Sequence, residues 1–168
     1  MATPEQMARL RAAVPAAQAT QARWHVPASV TLAQWIIESS WGASELAVKA
    51  NNYFGIKQSH IGAPNTYVEF LTAEYVKGKR VLVHALFARY QSEADSFEAH
   101  GALLATAARY RAAMGYAEFP FNFALALQHA GYSTSASYAS SLVALMRDYN
   151  LTQYDTLPQP PAAETEVA

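Results

Sequence analysis

This sequence predicts a mainly helical domain with one small β-hairpin, and three observations predict it. Alanine-rich stretches with helical spacing fill most of the chain, one central segment switches to Val, Tyr, Phe and Thr, and a Lys-Gly pair divides that segment in two. Residues 5–23 have high helix propensity from their alanines and arginines. Pro15 removes a backbone donor inside them, so two short helices or one bent helix is expected. Trp24-His25-Val26-Pro27 turns the chain, and Pro27 or Ser29 opens a second helix through Val30, Ala33, Ile37 and Trp41. Gly42 closes that helix, and Ser44 caps another turn over 45–50.

Between 66 and 90, TYVEFLTAEY and RVLVHALFARY flank Lys77-Gly78-Lys79, which is the pattern of a hairpin. Helices are expected again over 92–111, 120–130 and 137–150. The organisation read from this is one domain over 1–155, its β lobe at about 64–90, followed by a Pro-rich polar tail at 156–168 expected to be disordered.

Bulk composition removes several functional classes. A length of 168 residues fits a single core, and 12 basic against 13 acidic residues provide no cationic surface for nucleic acid or anionic lipid. Without cysteine there are neither disulfides nor thiolate metal ligands. His25, His60, His84, His100 and His129 are scattered without metal-ligand spacing, so neither a metal nor a cofactor is expected. The first 15 residues lack the apolar run of a secretory signal, and no stretch has the ~18 apolar residues of a membrane span. A soluble chain without membrane insertion or a nucleic-acid partner is expected, and a monomer is the expectation for its assembly.

The helix over 30–41 holds the most informative residue. At about 100° per residue, Val30, Ala33, Ile37 and Trp41 form one stripe, while Leu32, Trp35 and Ile36 cover the opposite side. Thr31, Gln34 and Glu38 make a narrow polar strip between them, with Gln34 and Glu38 one turn apart. A carboxyl on a buried helix, with Trp35 and Trp41 three residues to either side, has its ionised form disfavoured, and a general acid needs that property. Helix geometry alone leaves two readings open, a strip facing bulk water and a strip lining a cleft.

Glu38-Ser39-Ser40-Trp41-Gly42, preceded by Thr31-Leu32-Ala33-Gln34 and followed by Asn51-Asn52-Tyr53-Phe54-Gly55-Ile56-Lys57, resembles the signature of the glucosaminidase family, family 73 of the glycoside hydrolases. The likeness continues through Leu71-Thr72-Ala73-Glu74-Tyr75, Phe87-Ala88-Arg89-Tyr90-Gln91-Ser92, Ser96-Phe97 and Gly131-Tyr132-Ser133-Thr134, over about 26–151. Two departures stand out. Ala88 is inserted between Phe87 and Arg89, and Ser135 occupies a position that is acidic in many relatives. The resemblance implies an α+β lysozyme-like fold, a helical core with a small β lobe flanking a cleft. It also implies peptidoglycan hydrolysis as an endo-β-N-acetylglucosaminidase, with Glu38 as catalytic acid and the turn at Asn52-Tyr53-Phe54 shaping the cleft floor. A lytic transglycosylase or N-acetylmuramidase on the same fold, and a non-catalytic wall-binding module, are the alternatives. Lacking an export signal, such an enzyme would reach the wall by lysis, virion or secretion machinery.

Glycoside hydrolysis ordinarily needs a second carboxylate, and Glu69 and Glu74 are the candidates. Five residues apart on one regular strand, they address opposite faces, and the resemblance favours Glu74. A hairpin with few core anchors can open and close over substrate. Sugars stack on aromatic rings and hydrogen bond through hydroxyls, which makes Trp41, Asn52, Tyr53, Phe54, Tyr132 and Tyr138 the candidate substrate contacts. Trp41 and Phe54 equally suit a core, and Lys57 suits either a carboxylate partner or the surface.

Overall fold

The computed structural model describes residues 1–60 and 63–156, with the backbone alone at 74–76. Its first helix, α1 (Pro4–Trp24), starts in a capping box in which Thr3 and Gln6 satisfy each other's backbone N–H, with Pro4 in the first turn. α1 passes through Pro15 as one helix. The bent member of the two expectations is the nearer, because Leu10, Ala13, Ala17 and Thr20 form a single buried stripe that packs on both sides of the proline. Continuous burial of that stripe outweighs the ~3 kcal/mol a mid-helix proline costs.

The core is built around α2 (Ala28–Ser39), which is buried from Ala28 through Ile36. Pro27 gives its N-terminus no side-chain cap. Asp155 supplies one from 126 residues away, accepting from Ser29 N at 2.8 Å and Ser29 Oγ at 2.7 Å. The helix ends earlier than its apolar spacing predicts. Ser40, Trp41 and Gly42 take positive φ of 50°, 61° and 74°, so Trp41 leaves the helix and Ile37 is 38% exposed instead of continuing the inner stripe. A Cβ on Gly42 would lie 2.9 Å from the Trp35 ring, so the turn folds directly onto the core tryptophan.

Beyond it, α3 (Glu45–Ala50) is capped by Ser44, and the hairpin β1 (Tyr67–Val76) and β2 (Lys79–Ala88) follows. The strands are antiparallel, in register from Tyr67 opposite Ala88 to Val76 opposite Lys79. Lys77 and Gly78 connect them at φ 50° and 77°, as a two-residue hairpin turn requires. The base of the hairpin is tied down. Asn52 Nδ2 donates to Ile56 O and Ala88 O, both at 2.8 Å, and its Oδ1 accepts from Ile56 N at 3.0 Å. Among the described residues, backbone hydrogen bonds from β2 to anything other than β1 stop at Leu86, and Leu71 and Leu82 further out are 57% and 59% exposed. The hairpin is thus held at one end.

The remaining helices are α4 (Glu93–Thr106), α5 (Arg111–Met114), α6 (Pro120–His129) and α7 (Tyr138–Asp148), with 3-10 turns at Ala108–Tyr110 and Leu151–Tyr154. α4 lies against α1, and a Cβ on Gly101 would come within 2.3 Å of Thr20. Trp35, Phe97, Phe123, Leu127 and Leu142 fill the space between the helices. No helix among the described residues is long and apolar enough to cross a membrane. The tail expected to be disordered lies, from 157 onward, outside the described residues.

Candidate active site

Glu38 occupies the last turn of α2, where the helix emerges from the core and the chain reverses through Ser40, Trp41 and Gly42. Its carboxyl is largely withdrawn from solvent. Tyr138 Oη, at the start of α7, donates to Glu38 Oε1 at 3.0 Å and accepts from Gln34 Nε2 at 2.9 Å. Burial raises the carboxyl above the ordinary glutamate value of 4.5, and the bond from Tyr138 draws it partly back. Burial wins, so the proton is held more tightly than on a surface glutamate. The polar strip of α2 therefore does not face bulk water, since Thr31 and Gln34 are fully buried.

Beside the carboxyl stands a tier of aromatic rings. Tyr132 stacks on Tyr138 with centroids 5.5 Å apart and planes 17° from parallel, and Tyr110 and His100 pack against Tyr132 at 5.9 and 6.2 Å. Arg109 sets the loop that presents Tyr132: its guanidinium donates to Ala130 O at 2.8 and 3.2 Å and to Gly131 O at 2.9 Å. Gly131 makes the turn at φ 73°. Burial, followed by nearby acidic groups including Glu38, pushes the Tyr132 and Tyr138 phenols well above their ordinary value. Both stay protonated donors at neutral pH. A protonated carboxyl beside fixed phenol donors can deliver a proton to a leaving oxygen.

The residues predicted from sequence fall into distinct places. Glu38, Tyr132 and Tyr138 come together as described. Tyr138 is buried, however, and its hydroxyl is committed to Glu38 and Gln34, so it serves the carboxyl instead of offering an open ring to a sugar. Trp41 is half-buried, with its ring edge-on to Tyr149 at 5.0 Å. Tyr53 is half-buried, and its backbone N–H is held by Ser96 Oγ at 3.1 Å. Asn52 is 1% exposed with its amide spent on the hairpin base, and Phe54 is 4% exposed between Phe97 and His100. Glu74 pairs through its backbone with Val81, and its side chain lies outside the described residues. Glu69 is exposed, with His84 Nδ1 at 3.2 Å from its carboxylate.

Sequence reasoning missed the contributions of Gln34, Arg109 and Asp155. Gln34 carried a signal, its one-turn spacing from Glu38, whereas the other two act on backbone distant in sequence and carry none. Among the described residues, no three His, Asp or Glu side chains gather as a metal site.

Comparison with known proteins adds to this geometry. The glucosaminidase family model, described as mannosyl-glycoprotein endo-beta-N-acetylglucosaminidase, matches residues 14–151. The chain is 37% identical over 144 residues to the exo-glucosaminidase LytG of Bacillus subtilis, covering 83% of this chain and 50% of that protein. It is 38% identical over 154 residues to an autolysin of Enterococcus faecalis, covering 87% of this chain and 20% of that one. The chain therefore spans half or less of the length of these curated relatives. Among solved structures, the catalytic domain of the autolysin Auto from Listeria monocytogenes superposes with a TM-score of 0.79 at 31% identity, covering 92% of this chain and 90% of that one.

Proposed function

The chain belongs to the glucosaminidase family, and from that membership we propose that it is an endo-β-N-acetylglucosaminidase of peptidoglycan, cutting the β-1,4 bond from N-acetylglucosamine to N-acetylmuramic acid. The observation that carries this reading is the Glu38 carboxyl, largely withdrawn from solvent and held by one phenol proton. Glu38 gives its proton to the glycosidic oxygen as the bond to the anomeric carbon breaks. Positive charge then builds on the sugar ring, and we assign Glu74 as the carboxylate that answers it; water completes the hydrolysis, its hydroxyl ending on the anomeric carbon and its proton making good the one Glu38 gave. Support for Glu74 is its strand position on a hairpin whose backbone bonds outside the strand pair lie, among the described residues, at its base, a geometry suited to movement towards a bound glycan. Tyr132 supplies a hydroxyl to the sugar nearest the scissile bond, while Trp41 and Tyr53 offer ring surface along the strand.

All of these groups come from one polypeptide, consistent with a monomeric catalyst that acts on the wall after delivery. Digesting purified peptidoglycan and analysing the new reducing ends tests the reading. N-acetylglucosamine ends are expected. Muramic acid ends would overturn the bond assignment, anhydro-muramic ends would make the protein a lytic transglycosylase, and an undigested wall would leave a binding module.

A further inference from the structure

Gln34 is fully buried one turn before Glu38 on the same helix, and what its amide does has consequences for the acid. Nε2 donates to Tyr138 Oη, and Tyr138 Oη lies 3.0 Å from Glu38 Oε1. A phenol has one proton to give. With the Gln34 amide N–H on its lone pair, Tyr138 directs that proton to Glu38. Oε1 is therefore an acceptor, and the acidic proton is left to Oε2, which has no hydrogen bond among the described residues. Gln34 Oε1 is buried without a partner, as is Thr31 Oγ1 one turn earlier, so among the described residues the contact with Tyr138 is what orients the amide. Turned the other way, the amide would take the phenol proton for itself, and Glu38 could bond Tyr138 only by committing its own acidic proton on Oε1.

We propose that Gln34 is a positioning residue for the acid: by donating to Tyr138 it sends the phenol proton to Glu38 Oε1 and so presents the reactive proton on Oε2. The glucosaminidase reading enters only in calling Glu38 the acid. The other titratable groups facing the chain Gln34–Tyr138–Glu38 are Tyr132, from the loop before α7, and Tyr110, from the 3-10 turn. A hydrogen bond is strengthened by the one behind it, so removing the Gln34 donor weakens the bond from Tyr138 to the ionised carboxylate.

The test is a carboxyl NMR titration of Glu38 in the full chain, with glutamate carbons labelled and no substrate, in the unaltered protein, Gln34→Met, Tyr138→Phe and the double variant. Gln34→Met is expected to raise the Glu38 midpoint by about 0.3 pH unit, and to add no shift in the Tyr138→Phe background. An equal shift in both backgrounds, or none with Tyr138 present, overturns the proposal. In the unaltered protein the Gln34 side-chain amide resonance is expected to titrate with the Glu38 midpoint, a result that needs no variant to fold. An amide indifferent to Glu38 also overturns it. Because no glycan is present, these outcomes stand whether or not the protein digests peptidoglycan.

Discussion

The Tyr138 hydroxyl donates to Glu38 across 3.0 Å, opposing the burial that raises the same carboxyl. A general acid works while protonated and loses activity as pH rises through its pKa. Removing a donor to the ionised form raises that pKa further. Tyr138→Phe is thus expected to shift the alkaline limb of wall lysis to higher pH, while the plateau rate falls about tenfold through lost orientation. A pH–rate profile on purified peptidoglycan reads both effects, and an unmoved limb would mean that Tyr138 does not act on Glu38.

Glu38→Gln should abolish most of the activity, by about 10²–10⁴-fold, and alter stability in a pH-dependent way. With its folded pKa raised, Glu38 contributes stability that is fully present below the unfolded value near 4.5 and lost as pH rises through the folded one. Glutamine has no proton to lose. The variant should therefore gain in melting temperature over the parent as pH rises from the unfolded value through the raised folded one, with the difference vanishing in acid. Thermal unfolding across pH measures this, and a constant offset would rule out a raised carboxyl.

Gly131→Ala combines a left-handed backbone position with a Cβ placed 3.0 Å from Arg109 Nη2. A cost of about 1–2 kcal/mol is expected. Arg109→Ala removes the donors to the 130 and 131 carbonyls and leaves the backbone unstrained. If the loop exists to place Tyr132, both variants should lower kcat on peptidoglycan while retaining most of their helical circular dichroism.

Asn52→Leu removes two donated hydrogen bonds and one accepted bond at the hairpin base. Ile56 O keeps its bond from Ala88 N, but stranding the Ile56 N–H and the Ala88 carbonyl is expected to cost about 2–4 kcal/mol. Hydrogen exchange should show amides of β2 near Ala88 losing protection before those of α2. Uniform loss of protection would argue against a locally anchored lobe.

Periodicity and turn chemistry made the helices and hairpin legible, because those signals are local. Ser44 announced α3 and Lys77-Gly78 announced the hairpin turn. The end of α2 was misjudged by two residues: Trp41 fits the helical stripe in spacing, yet the left-handed turn through Ser40 and Gly42 carries it off the helix. Glu38 was legible by its setting. The burial of Asn52 was not legible, because a motif gives proximity to a site but does not say whether a side chain lines it or supports it. The long-range hydrogen bonds of Asp155 to Ser29 and Arg109 to Gly131 depend on packing that no local pattern encodes.

The bond from Asp155 to the start of α2 also orders events during synthesis. A ribosome has emitted Ser29 long before it adds the residue 126 positions later. Until then the helix that carries Glu38 in its last turn has no side-chain cap at its N-terminus. The scaffold beneath the carboxyl thus gains this fastening only after Asp155 has been made.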